Sequence, residues 1–350
     1  MIFKYILMHY MKNMLIILLA LSGLFAGLDF LMNASSLPSF NIRVLYVYNK
    51  WQEALNLLYP LAIIFGGIWT QISFIKKNTL GALFALGVSR TTLIQPFFLL
   101  SVMVYLLFTA LNFTPFAVAD ETAHMLKKNT YNAQKTKDMF FKYNDSFVYV
   151  GLLLPYERRL EELTVFRLQD GKVVEILEAK EAHFNGKAWL AKDVLRKIKT
   201  QKEGHPVLKI EHLDALITLQ GYRPEILNSI YEDKHLTLNE SYMAYQLLSS
   251  QGVGTFKIRA DMYAKAIMPL FSIALLIILL LRLPFHARYM NVGMTTVKAL
   301  GGTLFVWGIL FALQQMGANG ALSPELATPL PVALLWLYAL YTLQTAHKRI

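Results

Sequence analysis

The chain has 350 residues, of which 55% are hydrophobic and only 16% are charged, and its mean hydropathy is +0.40. Soluble domains carry about a quarter charged residues, so this composition excludes an ordinary soluble protein and indicates a membrane protein. Because the chain has no cysteine, it forms no disulfide, no cysteine-ligated zinc site and no thiol nucleophile.

Six apolar stretches are long enough to cross a membrane, which takes roughly 20 mostly apolar residues in a helix. In chain order they are Met14–Met32, Ala54–Ile75, Leu93–Phe116, Ala266–Leu281 extended by Asp261–Lys265, Ala299–Met316 and Leu326–Thr345. The first is too long for the apolar region of a signal peptide, and five more follow, so we expect an uncleaved helix. The six spans form two groups of three.

A polar block separates the two groups. Residues 119–257 hold 20 basic and 19 acidic residues, so their net charge is about +1. The block has the size of one folded domain. We therefore predict helices over residues 1–118, a soluble domain over 119–257 and helices again over 258–350.

The formal net charge of the chain is +11, and the excess basic residues lie in short segments on one predicted side of the membrane. These segments contain ten basic residues and no acidic one: Lys4, Lys12, Lys76, Lys77, Arg90, Arg282, Arg288, Lys298, Lys348 and Arg349. Basic residues accumulate in cytoplasmic loops, so both termini are predicted in the cytoplasm and the polar block outside. Their spread over several loops argues against a nucleic-acid partner.

Short alternating stretches in the polar block predict strands. They are Met139–Tyr143, Phe147–Leu153, Leu163–Leu168, Val173–Ala179, Ala182–Phe184, Ala188–Ala191, Val207–Ile210 and Ala215–Leu219. Asn144-Asp145-Ser146, Asp170-Gly171 and Asn185-Gly186 are typical of hairpin turns. Leu238–Ser249 is the one predicted helix. A sandwich or open jelly roll is favoured over a flat sheet.

Motifs for catalysis are missing from the sequence. It contains no phosphate-binding G-x-x-x-x-G-K-[ST], no G-x-S-x-G and no H-E-x-x-H, and its eight histidines lack the spacing of metal ligands. We therefore predict no catalytic residue, no metal and no cofactor.

Charges inside membrane spans are costly and suggest function. Asp29 lies near the outer end of the first span, and Asp261 and Lys265 lie four residues apart on one helix face. A role in substrate handling or gating is one reading; simple pairing near the membrane surface is the other. Gly23 and Gly27 form a G-x-x-x-G motif, which predicts close packing of the first helix against a neighbour.

A short amphipathic helix is predicted over about residues 78–90, between the second and third spans. Its apolar residues follow two lysines and end at a glycine, and the segment's notable residues are Lys76, Lys77, Thr79, Leu80, Leu83, Phe84, Leu86, Gly87 and Arg90. Two readings remain open: a helix resting on lipid, or a helix that docks into a cytosolic partner and couples the protein to ATP hydrolysis.

The order of these features resembles the lipopolysaccharide-export permeases of the LptF/LptG family. The segments that carry the resemblance are Leu80–Ser89, similar to the family's coupling helix; Phe147–Val150, Leu163–Phe166 and Ala179–Trp189, similar to its first jelly-roll strands; Leu247–Gly252 leading through Tyr263, Lys265 and Pro269; and Leu310–Gly320 with Pro329 and Pro331. The last two are more similar to LptG than to LptF.

The resemblance implies an α+β membrane protein with six transmembrane helices (3+3) and an inserted periplasmic β jelly-roll domain. It further implies a permease subunit in the inner membrane of a Gram-negative bacterium. The implied partners are a cytosolic ABC ATPase dimer, a homologous permease subunit forming a heterodimer, and a periplasmic jelly-roll bridge protein. The implied substrate is lipopolysaccharide, and ATP hydrolysis belongs to the partner, so the chain itself is not an enzyme.

The resemblance also implies roles for particular residues. Gly23, Gly27 and Asp29 would belong to a gate, Arg43 and Lys50 would face substrate phosphates, Asp261 and Lys265 would handle substrate or gating, and Phe147, Tyr149, Val165 and Phe184 would line a slot for lipid tails. Thr79 stands where the family usually has an acidic residue at the start of the coupling helix, which puts that ion pair with the ATPase in doubt.

Two other classes of protein stay open. One is a non-transporting membrane scaffold or binding protein with a periplasmic β domain. The other is an enzyme acting on lipid-linked sugars, which needs carboxylates clustered at the membrane surface. Outside the polar block the candidates are only Asp29, Glu53, Asp261 and Glu325, so the enzyme is the weaker alternative.

Overall fold

The computed structural model describes residues 2–127, 135–169, 172–202, 205–232, 235–283 and 291–347. Asp170 and Gly171 of one predicted turn lie outside the described residues, as do Arg288, Lys348 and Arg349 of the charge pattern. The chain divides into two compact units, a helical unit of residues 1–123 with 256–350 and a β unit of residues 124–255.

The helical unit confirms the six predicted spans. Its elements are α1 (Ile2–Asn33), α2 (Phe40–Lys76), α3 (Thr79–Ala85), α4 (Arg90–Leu111), α5 (Ala119–Lys127, which continues into the β unit), then α8 (Phe256–Ala266), α9 (Leu270–Arg282), α10 (Val292–Ala318), α11 (Pro324–Ala327) and α12 (Pro329–His347). Within the described residues, six segments are long and apolar enough to cross a membrane; α8 with α9 forms the fourth and α11 with α12 the sixth. The predicted third span is too long at its end, because α4 stops at Leu111, before Pro115.

Close packing of α1 and α2 builds the centre of this unit. At Gly66 the two helices approach so closely that an added Cβ would lie 2.7 Å from Met14 Cα. The buried Tyr10 hydroxyl donates to the carbonyl of Ile63 at 3.0 Å and lies 2.8 Å from Ser101 Oγ. A hydroxyl away from water must be hydrogen-bonded, so this contact fixes α1, α2 and α4 together.

The β unit is built on one antiparallel six-stranded sheet in the order β1 to β6. The strands are β1 (Thr136–Tyr143), β2 (Ser146–Leu154), β3 (Arg159–Gln169), β4 (Lys172–Phe184), β5 (Trp189–Lys202) and β6 (His205–Thr218). Val173–Ala179 and Ala182–Phe184, predicted as two strands, are one strand; so are Val207–Ile210 and Ala215–Leu219. The α+β class with an inserted sheet is confirmed, whereas this strand order does not confirm the jelly-roll detail.

A row of residues crosses the sheet where the alternation of its side chains slips by one position. In a regular strand, residues that share a face are two positions apart. Here the successive buried residues are three positions apart, Val150 and Leu153 in β2 and Leu160 and Leu163 in β3. Three residues in this row, Asp138, Glu162 and Asp193, have left-handed backbones, with φ of 52°, 57° and 51°. We call this row the crease. The strand pairing keeps its register across this row, so the crease interrupts the side-chain alternation without adding a residue to any strand.

Two helices follow the sheet, α6 (Pro224–Glu232) and α7 (Leu238–Ser250). The predicted helix over Leu238–Ser249 is confirmed to within one residue. Its first turn is fixed by two reciprocal hydrogen bonds. The Thr237 side chain accepts from the Glu240 backbone N–H, and the Glu240 side chain accepts from the Thr237 backbone N–H. The helix α6, which was not predicted from the sequence, packs on the first strands through a 2.7 Å hydrogen bond from Thr136 to Asn228.

Candidate functional site

The predicted amphipathic helix forms as α3, a two-turn helix between α2 and α4. Its C-terminus closes through Gly87 at φ 77°, with Gly87 N–H donating to Phe84 C=O and Val88 N–H to Leu83 C=O, at 2.9 and 3.1 Å. This pair of bonds is the Schellman motif, which needs a left-handed residue. The glycine therefore sets where α3 ends and how the chain turns into α4.

The two faces of α3 have different surroundings. Leu80 and Leu83 are 5% and 8% exposed and belong to the core of the helical unit. Ala82, Ala85 and Leu86 are exposed, Leu86 at 76%. Thr79, Phe84 and Arg90 are half-buried, and Lys76 and Lys77 are exposed just before the helix. Thus α3 is anchored by two leucines and presents a small apolar surface to its surroundings.

At the opposite end of the helical unit, Lys50 is buried between two carboxylates. Its ammonium lies 2.8 Å from Glu53 and 2.6 Å from Asp120, and the residue is 6% exposed. The three side chains carry a formal charge of −1. Lys50 was predicted to face substrate phosphates, but its positive charge is already taken up by two carboxylates.

Asp29 joins this end of the unit through Tyr46. The Tyr46 hydroxyl donates to Asp29 Oδ1 at 2.5 Å, and the Asn33 amide donates to the Asp29 backbone carbonyl at 2.8 Å. Arg43, one turn before Tyr46, is exposed, and its Nε donates to Leu37 C=O at 3.2 Å. Of the two predicted phosphate-facing residues, Arg43 is the one that presents its charge to the surroundings.

The fourth span is interrupted between α8 and α9. Met268 N–H reaches back to Tyr263 C=O at 2.8 Å, and the Tyr105 hydroxyl donates to Ala266 C=O at 2.7 Å. Backbone groups released by a break in a membrane helix need such partners. In the last turns of α8, Lys265 lies 2.6 Å from Asp261, so these two residues form an ion pair.

A second ion pair was missed by the sequence analysis. Arg259 of α8 lies 2.5 Å from Glu325 of α11, and the Tyr263 hydroxyl donates to the same carboxylate oxygen at 3.1 Å. From the sequence, Glu325 was considered only as one of four carboxylates outside the polar block. Because 66 residues separate Arg259 from Glu325, no local sequence pattern predicts the contact.

Gly23 and Gly27 make no close contact within the described chain. A Cβ added at either position would meet no heavy atom within 4 Å among the described residues. The close approach between α1 and α2 is made instead at Gly66. The G-x-x-x-G surface of α1 is therefore left open to another helix.

The four residues predicted to line one slot lie on both faces of the sheet. Val165 is 4% exposed and pairs with the buried Val148, whereas Phe147 and Tyr149 belong to the opposite face, with Phe147 37% exposed. Residues directly opposite in an antiparallel pair share a face, which fixes these assignments. The Tyr149 hydroxyl donates to Asp138 at 2.8 Å, and this hydrogen bond raises the pKa of Tyr149. Phe184 is half-buried, and its ring centre lies 5.3 Å from that of the buried Trp189.

A ladder of alternating charges crosses four strands on the buried face of the sheet, on the side of the crease toward Gln169 and Lys172. It runs through Arg167, Glu175, Arg196, Glu211 and Lys209. Glu175 is 7% exposed; it lies 2.8 Å from Arg167 and is bonded to Arg196, whose pKa it raises. The hydrogen bond from Lys209 and the charge of Arg196 lower the pKa of Glu211. The sequence analysis missed this ladder because only the strand register brings its members together.

No cluster of three or more histidine, aspartate or glutamate side chains with the geometry of a metal site occurs among the described residues. The features available for binding or coupling are thus the α3 surface, the charged groups at the other end of the helical unit, and the buried face of the sheet.

Together these features define a class: a polytopic membrane protein with an antiparallel β unit inserted between two groups of three spans. Residues 4–345 match the family described as lipopolysaccharide export system permease LptF/LptG. The chain belongs to this family, whose model covers LptF and LptG together and does not separate them. It is a multi-pass inner-membrane protein, and membership implies a lipopolysaccharide-export permease of the ABC type, working with an ATPase and further Lpt partners. No curated protein matches the chain.

Proposed function

We propose that this chain is one permease subunit of an ATP-driven exporter that extracts lipopolysaccharide from the inner membrane and passes it to a periplasmic bridge protein. The family match over residues 4–345, together with an anchored α3 that exposes an apolar surface, carries this proposal. The sequence has no phosphate-binding loop of its own, so energy comes from a separate cytosolic ATPase dimer. The positive-inside rule supports cytoplasmic termini and a periplasmic β unit.

The α3 helix is the proposed docking element for the ATPase. Leu80 and Leu83 hold it against the membrane helices, while Leu86 and the exposed alanines offer the surface that a groove can take up. An amphipathic helix with one apolar face free is suited to insertion into a groove. Since Thr79 carries no charge, docking here depends on apolar contact, with Lys76 and Lys77 as nearby exposed charges.

The open surface of α1 at Gly23 and Gly27 is the proposed contact with the homologous permease subunit. Small residues let two membrane helices approach closely, and these glycines have no neighbour within the described chain. Arg43 is the proposed contact for the phosphates of the lipid, because its guanidinium is exposed. Asp29, Lys50, Asp261 and Lys265 hold their neighbourhood in position through ion pairs and hydrogen bonds.

The buried face of the sheet is the proposed path for acyl chains. Val148, Val150, Leu163 and Val165 form its apolar surface, and the charge ladder lies on the same face. Acyl chains bind by removing apolar surface from water, so an apolar face of this kind is suited to them. Phe184 lies beyond the crease, where its ring contacts that of Trp189.

Leu86→Asp tests the proposed function. We expect the wild-type chain, extracted from its native membrane in mild detergent, to bring a nucleotide-binding subunit with it, and the variant to lose that subunit and lipopolysaccharide transport. Leu208→Asp is the matched control, because Leu208 is a similarly exposed leucine (58%) on the sheet. Export that survives Leu86→Asp, or a wild-type chain that purifies without an ATPase, would favour the non-transporting scaffold.

A further inference from the structure

The face of the sheet opposite the one proposed for acyl chains carries exposed aromatic side chains. Phe147 pairs with Phe166 across β2 and β3, and Phe166 pairs with Ile176 of β4, so these three residues share the face. The ring of Phe140 stacks on that of Phe147 with 5.4 Å between the ring centres. Ile210 of β6 lies in the same row of paired residues. We call these five residues the aromatic strip.

The aromatic strip is exposed over much of its length. Phe140 and Ile210 are each 55% exposed and Phe147 is 37% exposed. The strip reaches from β1 to β6, a distance of about 24 Å at the usual spacing of neighbouring strands. Single apolar residues on a surface are ordinary, but a continuous apolar row marks a contact with a protein or a membrane.

The charges on this face leave two cations unpaired. Glu178 is engaged by Lys197 at 2.6 Å, and Asp138 accepts a hydrogen bond from a tyrosine hydroxyl at 2.8 Å. Lys142 in β1 and Lys199 in β5 are exposed, and neither has an ion-pair partner among the described residues. The strip therefore has one free positive charge toward each edge of the sheet.

These charges distinguish between the possible occupants of the strip. A second copy packed strip on strip would place lysines against lysines, which is unfavourable. An anionic lipid surface offers negative headgroups with hydrocarbon just beneath them, and basic, aromatic surfaces bind there. Because the β unit is covalently attached to six membrane spans, bilayer lipid is present at high local concentration, whereas a protein partner must be recruited.

We infer that the aromatic strip, together with Lys142 and Lys199, binds the surface of an anionic bilayer. The phenylalanine rings enter the boundary between headgroups and acyl chains, and the two lysines contact lipid phosphates. This contact uses the opposite face from the proposed path for acyl chains and does not depend on the proposed function.

The absence of cysteine makes this contact measurable in the full chain. Ile210→Cys places a polarity-sensitive fluorophore on the strip, and Ile217→Cys, at a 61% exposed position of the same strand, is the matched control. The chain is reconstituted in nanodiscs of phosphatidylcholine with or without phosphatidylglycerol. No lipopolysaccharide is present, so a contact reports bilayer lipid rather than transported substrate. We expect spin-labelled lipid to quench the fluorophore at position 210 in anionic discs and to spare the one at position 217.

Lys142→Gln and Lys199→Gln test the role of charge. One lysine near an anionic surface changes the contact equilibrium about fivefold, so the double variant should lower it roughly 25-fold. Lys187→Gln, in the exposed turn between β4 and β5, should leave the equilibrium unchanged. All three lysines are exposed, so the variants should remain folded.

Quenching that is equal at both label positions, equal in both kinds of disc or unaffected by the lysine variants would overturn the inference. A fluorescence change that requires two chains in one disc would also overturn it, because the occupant would then be a second copy. None of these readouts involves the ATPase or transport, so failure here leaves the proposed function standing.

Discussion

The ammonium of Lys50 lies 2.6 Å from a carboxylate oxygen of Asp120, across 70 residues of sequence. This ion pair ties the N-terminal part of α2 to α5, where the chain leaves the third span. With Glu53 at 2.8 Å, the cation is shared by two carboxylates. An anionic lipid phosphate would have to displace one of them, so we assign Lys50 to holding this junction together.

Lys50→Met should destabilise the helical unit. The substitution leaves Glu53 and Asp120 facing each other without a cation, and their side chains are 23% and 32% exposed. Breaking a buried ion pair on one side is strongly unfavourable, and partial exposure reduces the cost, so we expect a loss of about 2 kcal/mol. Thermal unfolding of the full chain in detergent measures it.

Arg43→Met is the matched control for this prediction. Arg43 is exposed, so its removal should leave the unfolding temperature unchanged and weaken the binding of lipopolysaccharide. The triple variant Lys50→Met, Glu53→Gln, Asp120→Asn removes the unpaired charges and should recover part of the lost stability. A Lys50→Met variant that unfolds like the wild type but binds the lipid poorly would show that Lys50 contacts the substrate.

Gly66→Ala should separate α1 from α2. The added methyl group would lie 2.7 Å from Met14 Cα, a backbone atom that cannot move aside like a flexible side chain. Overpacking of this kind costs about 1–3 kcal/mol. Gly23→Ala, on the open surface of α1, should leave unfolding unchanged. Equal unfolding temperatures for the two variants would contradict the assigned packing.

Gly23→Leu addresses the second permease subunit. A bulky residue on the G-x-x-x-G surface should reduce co-purification of the homologous subunit, while the chain itself stays folded because the position meets no neighbour within 4 Å among the described residues. Undiminished co-purification would place the contact elsewhere, for example on α10.

The membrane spans could be predicted from the sequence because the signal is local. Twenty apolar residues in succession are sufficient, and all six spans follow from them. The helix α7 was predicted from the helical spacing of Tyr242, Tyr245 and Leu248, but its N-cap is Thr237, not the Asn239 that the sequence suggested. The glycine that ends α3 was recognised in the sequence, but the predicted range of about 78–90 is longer than the observed Thr79–Ala85.

Long-range geometry could not be predicted in this way. Asp120, the second partner of Lys50, is 70 residues away and the partner of Arg259 is 66 residues away, and nothing near either basic residue identifies them. The face of the sheet on which each residue lies could not be predicted for another reason. Phe147 and Val165 are equally apolar, but the strand register puts them on opposite faces. The slip at the crease then changes which residues are buried, so simple alternation misassigns positions beyond it.

Asp193 should be replaceable by glycine but not by valine. Its φ of 51° is left-handed, a conformation that costs a β-branched residue about 1–2 kcal/mol and glycine almost nothing. We expect Asp193→Val to lower the unfolding temperature of the β unit, measured by circular dichroism at the strand minimum, and Asp193→Gly to leave it unchanged. Lys192→Val, at the exposed neighbouring position, is the control and should be tolerated. If both valine variants behave alike, the crease at this strand is not confirmed.

The charge ladder should make the β unit sensitive to acid through Glu211. Its pKa in the folded chain is held below the ordinary value of 4.5, first by the hydrogen bond from Lys209 at 2.5 Å and then by Arg196. A carboxyl group with a lowered pKa stabilises the fold above its unfolded pKa, and this stabilisation is lost as the pH falls through the folded value. We expect the unfolding temperature of the wild type to fall more steeply below about pH 4.5 than that of Glu211→Gln. Lys209→Gln, which keeps the carboxylate but removes its first partner, should lie between them; identical pH profiles for all three would show that Glu211 does not contribute.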